Sequence, residues 1–325
     1  MKGLQLRAAA AADLDAVAGL LGRPVALPSR AHEHLLLVET APVEDGAPQL
    51  LATLRLMPSI GLDMPRLWYH VGCTVHAAPE LGLFHRQRSL LLGHDLTGAS
   101  ELADIAWLQT EQPLASQAAA LRLLMHGAWM LLARHRSAYA QSVVAELPGE
   151  RDSAGQSPFW LGLGRHFYSG DPARAAAQHG PVWRTLVAAL LPKQPLMASF
   201  LAPAAQAAIG QAHPGALVLR EVLEAAGLRY SHHVNLEDAG PVLQADTDQL
   251  PGIGSARAWP ALPDTPPRAA PPTLLMAGPD DAWRALRGPA QAAGLGLQIG
   301  APAMTALGLA PGDPVWALAL APGNT

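Results

Sequence analysis

The stretch from about Ala115 to His135 most constrains how this chain folds. Arg122 and Arg134 are its charged residues, and most of the others are apolar. A helix formed here has almost no polar face, so we expect it to be buried on most of its surface. Such a helix has to be packed against other elements of the fold.

Short apolar segments on both sides of this helix are typical of strands. We predict a first helix that is capped by Asp13 and runs to about Leu21. Strands on either side of the buried helix then give an α+β order, with a mixed, mostly antiparallel sheet flanked by helices. The predicted strands are Leu4–Arg7, Leu35–Glu39, Leu50–Met57, Tyr69–Val75, Glu101–Leu108 and Ser142–Glu146.

A proline-rich segment in the last third of the chain indicates a domain boundary. Seven of the 22 residues in 251–272 are proline, which is typical of an extended linker. We therefore expect a region 1–250, with a subdivision near 195–200 left open, then the linker, then a small β-rich module at 273–325.

Further predicted helices are Phe159–Leu163, Ala173–Gln178, Trp183–Leu190, Ala202–Ile209 and Leu217–Ala226; Arg229–Leu236 is a predicted strand. In the module we predict strands Thr273–Ala277 and Val315–Leu320 and short helices Asp280–Leu286 and Ala303–Leu307.

Composition excludes several classes of function. With 22 basic residues and a net charge of −4, the chain lacks the dense basic surface of a nucleic-acid binder. Charged residues interrupt the apolar N-terminal segment, which argues against a signal peptide, and no apolar run is long enough to span a membrane. A single cysteine, Cys73, fits a reducing cytoplasm.

His213, in the run Ile-Gly-Gln-Ala-His-Pro at 209–214, is the best single candidate for moving a proton. Pro214 favours an extended or turn conformation at His213, and imidazole titrates near neutral pH. A structural histidine in a turn is the alternative interpretation of this residue.

Several segments, in the same order, resemble the arginine N-succinyltransferase family of the GNAT acyl-CoA N-acyltransferases. The resemblance covers roughly residues 1–320. It is carried by Tyr69–Gly72, Val75–Ala77, Asp95–Leu102, Val143–Glu146, Ser157–Trp160, Leu191–Lys193, Ile209–Pro214, Leu223–Tyr230 and Leu309–Asp313.

This resemblance implies transfer of succinyl from succinyl-CoA to the α-amino group of L-arginine, in arginine catabolism. Ornithine is an alternative acceptor. The family's proton donor falls on His213, and a residue that contacts the acyl-CoA falls on Ile105. The reaction implies no bound cofactor and no metal; succinyl-CoA is a co-substrate.

The chemistry adds further candidates. Glu101 and Glu146 lie on apolar strands, where either could act as a base or pair with an arginine. The end of the Glu101–Leu108 strand can offer a backbone N–H to an oxyanion, and a helix N-terminus can bind pyrophosphate. We therefore predict that Ile105, Ala106, Trp107, Leu114 and Ala115 bind succinyl-CoA.

One departure from the GNAT pattern keeps an alternative open. The stretch Gln109–Gln117 has no glycine and no basic residue, whereas GNAT enzymes usually wrap the pyrophosphate with a glycine-rich loop. Glu111 would repel phosphate, and Pro113 removes an N–H donor. The chain could thus be a weak or inactive subunit of a heteromeric succinyltransferase, or use another amine. Its partner would be a second copy or a paralogous subunit.

Overall fold

A computed structural model describes residues 3–40, 48–109, 114–180 and 182–320. Its α-helices in that part of the chain are α1 (Leu14–Leu21), α2 (Leu114–Arg134), α3 (Pro158–Gly162), α4 (Pro172–His179), α5 (Val182–Leu190), α6 (Pro203–Ala208), α7 (Leu217–Ala225) and α8 (Ala301–Leu307). None of these helices has the length and hydropathy that crossing a lipid bilayer requires.

The strands in the described part of the chain are mostly three to eight residues long, and β4 and β5 have eleven residues each. They are β1 (Leu4–Ala8), β2 (His34–Thr40), β3 (Leu50–Met57), β4 (Trp68–Ala78), β5 (Leu83–Gly93), β6 (Ser100–Trp107), β7 (Ser142–Glu146), β8 (Leu196–Met197), β9 (Arg229–Val234), β10 (Pro241–Asp246), β11 (Arg257–Leu262), β12 (Pro272–Ala277), β13 (Arg284–Pro289), β14 (Gln291–Ala293), β15 (Gly296–Gln298) and β16 (Pro314–Ala319).

These strands follow one another in a single hydrogen-bonded order. The order is β14-β15-β11-β16-β12-β13-β1-β2-β3-β6-β7-β10-β9-β4-β5-β8. The pairs β6–β7 and β11–β15 run parallel, and the other pairs run antiparallel. The predicted α+β class with a mostly antiparallel sheet is confirmed.

Helix α2 forms the centre of the main core, as its sequence predicts. Leu121, Leu124 and Trp129 are at most 1% exposed. They belong to one apolar cluster with residues of β2, β3, β6 and β7, and also with Leu274 and Leu318 of β12 and β16. The low charge of this helix follows from its position, because apolar strands cover it along most of its length.

Strands predicted from alternation and turn residues are confirmed, with bounds that differ by a few residues at most. The sequence-based prediction lacks seven of the strands in the described residues: β5, β8, β10, β11, β13, β14 and β15. The helix predicted at Asp280–Leu286 is wrong: the chain turns there and enters β13. Pairing with β1 and β12 gives that segment extended structure that its own sequence does not favour.

The proline-rich segment 251–272 contains more structure than a linker. It holds a 3-10 turn at Ile253–Ser255 and strand β11, which pairs with β15 and β16. The C-terminal strands have a core of their own with α8 on one face and share the α2 core on the other. The division of the chain into separate domains stays a prediction.

Candidate functional site

The loop that carries His213 is fixed against the end of β7. The backbone N–H of His213 donates to the carbonyl oxygen of Pro148 at 2.8 Å, and Ala212 bridges to Gly149. A Cβ added at Gly149 would lie 2.2 Å from the carbonyl oxygen of Asp238, so only glycine permits this approach. The main chain therefore sets the position of the imidazole before any ligand is bound.

The His213 ring is held by its own turn. His213 has φ −54° and ψ 138°, the extended conformation that the following proline favours. Its Nδ1 accepts a hydrogen bond from the backbone N–H of Gly215 at 3.0 Å. Because a backbone N–H can only donate, Nδ1 carries the lone pair, and in the neutral ring the proton is on Nε2. In this conformation Nε2 is a donor.

A cleft with a volume of about 390 Å³ lies beside this loop. Gly210 and Gln211 bring the His213 loop to its wall, and Tyr230 lies close to Gly210, which has φ +76°. The lining is Val71, Gly72, Cys73, Arg88, Ile209, Gly210, Gln211, Arg220, Tyr230 and His232. Two arginines in a small cleft can bind a carboxylate or a phosphate.

Glu101 and Glu146 share a guanidinium on the face of the sheet away from α2. Arg66 Nη1 and Nη2 donate to the two oxygens of Glu101 at 2.8 and 2.9 Å, and Nη2 also donates to Glu146 at 2.7 Å. The indole N–H of Trp68 donates to Glu146 as well. Arg184 of α5 lies 3.8 Å from Glu146 and pairs with Glu237. Three carboxylates thus share two guanidinium groups.

The two strand carboxyls differ in their electrostatics. Burial raises the pKa of the Glu101 carboxyl above its usual range, and Arg66 only partly opposes this. Burial also acts to raise the pKa of Glu146, but Arg66, Arg184 and the Trp68 N–H outweigh it and hold that pKa below its usual range. Glu146 is therefore the ionised partner of Arg66, and Glu101 is the one that more readily keeps a proton.

The predicted acyl-CoA residues lie where β6 ends. Strand β6 contains a bulge: between the pairs Thr53–Ala106 and Arg55–Ala103, Leu54 alone faces Asp104 and Ile105. Asp104 has φ +48°, and a bulge of this kind leaves an extra residue out of the ladder. The indole N–H of Trp107 donates to Gln117 in the first turn of α2 at 3.0 Å.

Within the described ranges, the C-terminal end of β6 is not paired with β7. These two parallel strands pair at Ser100–Val143 and Glu101–Val144, and no later pair joins them among the described residues. Helix α2 begins at Leu114, and Ala115 is exposed. Glu111 and Pro113 lie outside the described residues.

The structure thus brings some candidates together and leaves others apart. Ile105, Ala106 and Trp107 lie at one strand end next to the start of α2. No hydrogen bond or ion pair joins His213 to Glu101 in the part of the chain that the structure describes. Sequence reasoning missed Arg66, Arg88 and Arg184; no motif marks them, since each is recognisable only by the partners that the fold supplies.

Comparison with known proteins identifies the family. Residues 29–251 match the family described as arginine N-succinyltransferase beta subunit. A protein named arginine N-succinyltransferase from Enterobacter sp. (strain 638) is 36% identical over 233 residues, which cover 70% of this chain and 65% of the relative. Another from Salmonella typhi is 37% identical over 214 residues, 64% of this chain and 61% of the relative. The aligned chain spans less than two thirds of these relatives.

A solved structure has the same fold. It is described as arginine/ornithine succinyltransferase subunit AI from Pseudomonas aeruginosa. It matches with a TM-score of 0.75 and 23% identity over 99% of this chain and 100% of that chain. Since the family match takes in more than half of the sequence, the chain belongs to the arginine N-succinyltransferase beta subunit family.

Proposed function

We propose that this protein transfers succinyl from succinyl-CoA to the α-amino group of L-arginine or ornithine, in the cytoplasm. The family match supports the reaction, since it spans His213, Glu101 and the end of β6. The observation that carries the proposal is the placement of His213 beside a cleft with two arginines: its backbone N–H donates to Pro148, and its ring accepts from Gly215.

The reaction forms an amide bond and breaks a thioester bond. The neutral amine attacks the carbonyl carbon, the oxyanion collapses, and the thiolate of CoA leaves; overall, one proton passes from the amine nitrogen to the sulfur. With Nδ1 accepting from Gly215, His213 Nε2–H serves as a donor to the charge that develops on oxygen or sulfur. To accept the amine proton, the ring would first have to release Gly215.

Succinyl-CoA is proposed to bind between β6 and β7, as in GNAT enzymes. The divergence of these parallel strands leaves room for an extended chain, and the bulge at Asp104 frees backbone polar groups. The start of α2, at Leu114 and Ala115, would attract the pyrophosphate through its unpaired N–H groups. Ile105, Ala106 and Trp107 would line the pantetheine arm.

The His213→Ala variant tests the donor role. We expect kcat to fall by about 10²- to 10⁴-fold, the usual contribution of a positioned acid or base, with little change in the binding of succinyl-CoA. Steady-state kinetics measures the rate, and a thermal-shift titration with CoA measures binding. His76→Ala, an exposed histidine on β4, is the matched control.

Retention of the wild-type rate in His213→Ala would remove His213 from the mechanism. Absence of any thermal shift with millimolar CoA in the wild type would instead favour the alternative, a weak or inactive partner subunit. At a hundredfold excess over Kd, a ligand stabilises its protein by about 2.7 kcal/mol, so real binding is visible in this assay.

Glu101 remains a candidate for catalysis, but its bidentate contact with Arg66 supports a positioning role. Glu101→Gln separates the two roles. If Glu101 is the base, the pH profile of kcat loses its acid limb. If it only positions Arg66, the profile keeps its shape; the midpoint of thermal unfolding falls in both cases, because Arg66 loses a charged partner.

The succinyl carboxylate is proposed to bind the cleft arginine Arg88. Its Nη2 is held by the carbonyl oxygen of Gln206 at 2.7 Å, which orients the guanidinium. Arg88→Met should raise KM for succinyl-CoA and leave KM for acetyl-CoA, which has no carboxylate, nearly unchanged. An equal rise for both substrates would argue against this assignment.

We also propose that a second copy of this chain covers the tip of the β4–β5 hairpin. Beyond its pairs with β8 and β9, this hairpin projects from the sheet, and Leu81, Leu83 and Phe84 at its tip are 57–73% exposed. Phe84→Asp should shift the mass measured by light scattering to that of a monomer. Leu295→Asp, at a site of 92% exposure elsewhere, is the control.

A monomeric wild-type protein would argue against the homodimer. Recovery of an assembly on mixing with a paralogous subunit would then identify the heteromer as the partner arrangement.

A further inference from the structure

Three histidines and an aspartate meet at a place remote in sequence from the proposed succinyl-transfer residues. His32 precedes β2, His135 follows α2, and Asp280 lies between β12 and β13. His32, His135 and Asp280 each offer one potential ligand atom, and these three atoms lie within 4.8 Å of one another. His34, the third histidine, stacks on His135 with a ring-centroid distance of 5.9 Å.

The polar atoms of this cluster are not all satisfied by the protein. The Nδ1 of His32 and the Nε2 of His34 are buried and have no hydrogen-bond partner among the described residues. A buried polar atom without a partner is costly, so such atoms in a folded protein call for a ligand, an ion or a water molecule. Two of them lie beside a third imidazole and a carboxylate, so nitrogen and oxygen atoms of the kind that bind metal ions meet at this place.

The backbone holds the cluster in place. The carbonyl oxygen of His32 accepts from the Tyr139 hydroxyl at 2.7 Å, and His32 has φ +60°, which residues other than glycine seldom adopt. On the other side, Arg134 donates to the carbonyl oxygen of Gly278 at 3.1 Å and so anchors the loop of Asp280. The rings and the carboxylate are therefore presented by three fixed segments.

We propose that His32, His135 and Asp280 bind a divalent transition-metal ion of the zinc class, with His34 beside it as a further donor. Imidazole nitrogen and carboxylate oxygen are the donors that zinc uses together with thiolate, at about 2.0–2.2 Å. The present spread of 4.8 Å is larger than a bound ion needs, so small side-chain rotations close the site. His135 Nε2 already contacts Asp280 Oδ1 at 3.1 Å, and the ion would replace that contact.

A bound ion would tie the C-terminal strands to the rest of the chain. It would link the β12–β13 loop to the end of α2 and to the segment before β2. Arg134 competes for the same carboxylate, since its Nη2 lies 3.0 Å from Asp280 Oδ1. Arg134 keeps Gly278 as an acceptor when Asp280 turns to the metal.

The test is titration of the full chain, freed of metal by a chelator, with Zn²⁺. We expect one ion per chain by elemental analysis, a rise in the midpoint of thermal unfolding, and visible absorption bands of low-coordinate Co²⁺ when cobalt is used instead. Asp280→Asn and His135→Gln should weaken Zn²⁺ binding by about tenfold or more.

The matched control is His85→Gln. His85 faces His76 across the β4–β5 hairpin, and this exposed pair is where a metal could bind adventitiously. The proposal requires His85→Gln to keep wild-type stoichiometry and the thermal shift. If His85→Gln abolishes binding while Asp280→Asn keeps it, or if the wild type takes up no Zn²⁺, the proposal is overturned.

Circular dichroism checks that the ligand variants fold. Should His135→Gln unfold, Asp280→Asn still decides the matter, because the Asp280 side chain is 48% exposed and its exchange leaves no buried gap.

Discussion

The Glu101 carboxylate illustrates how a residue's chemistry depends on its neighbours. Its sequence context, an acidic residue on an apolar strand, fits either a base or an ion-pair partner. In the structure, Arg66 takes both of its oxygens and one oxygen of Glu146. A guanidinium shared by two buried carboxylates stabilises the fold only while all three groups are present.

Arg66→Met should therefore lower the free energy of unfolding by about 3 kcal/mol or more, since it leaves Glu101 without a cation and Glu146 with Arg184 at 3.8 Å. Adding Glu101→Gln to this variant should restore part of the loss, and denaturant titration of the four proteins of the cycle measures the coupling. The control is Arg220→Met, which removes a half-buried i,i+4 pair with Glu224 and for which we expect a change of about 0.5 kcal/mol. Equal losses for both arginines would contradict the shared-cation account.

At the scale of elements, a hydrogen bond between Arg287 and the titratable side chain of His126 joins strand β13 to helix α2. Arg287 Nη2 donates to His126 Nδ1 at 3.0 Å. Burial lowers the pKa of His126 to about 4, and the positive charges of Arg287 and Arg122 add to this effect. The ring is thus neutral in the folded protein at pH values where a free histidine is protonated.

Stability should fall as the pH drops from 6.5 towards 4, because the unfolded chain binds a proton that native His126 does not. The loss is up to about 1.4 kcal/mol per pH unit from this residue, and its contribution is fully present above pH 6.5. His126→Gln should reduce this dependence in chemical denaturation measured at several pH values, and buried His34, whose pKa is also lowered to about 4, accounts for a remainder. A slope in His126→Gln as steep as in the wild type would assign the dependence to other groups.

At the scale of the whole molecule, helix α2 packs in one core with strands from both the N-terminal and the C-terminal parts of the chain. Strand β13 pairs with β1, and Leu274 and Leu318 of the C-terminal strands pack in the same cluster as α2. The expected boundary at 251–272 therefore crosses a shared core, in addition to the separate core that α8 covers.

Leu318→Ala tests whether this core unites the molecule. The side chain is 1% exposed, so we expect a loss of about 2–5 kcal/mol and a lower midpoint for the main transition in calorimetry. Leu295→Ala, at 92% exposure, should change nothing. A shift confined to a minor, separate transition would instead support the C-terminal module as an independent domain.

Much of the fold follows from local sequence. Helix α2 and strand β7 are predictable because their residues have one dominant environment: α2 is apolar all round, and Ser142–Glu146 is a short β-branched run. The Ser157 cap is similarly local, since its hydroxyl accepts from the N–H of Trp160 three residues later. Strand β5, in contrast, has a polar middle, His85–Ser89, and only its pairing with β4 makes it a strand.

The sequence by itself determined the class of fold, the family and the extended conformation of His213 before Pro214, because these follow from local residue patterns. The tertiary structure decided where the His213 loop lies against Pro148 and Gly149, which cation Glu101 and Glu146 share, and that His32, His135 and Asp280 meet. Each of these depends on groups tens to hundreds of residues apart, and no local pattern encodes which distant donor will face which acceptor once the sheet has formed.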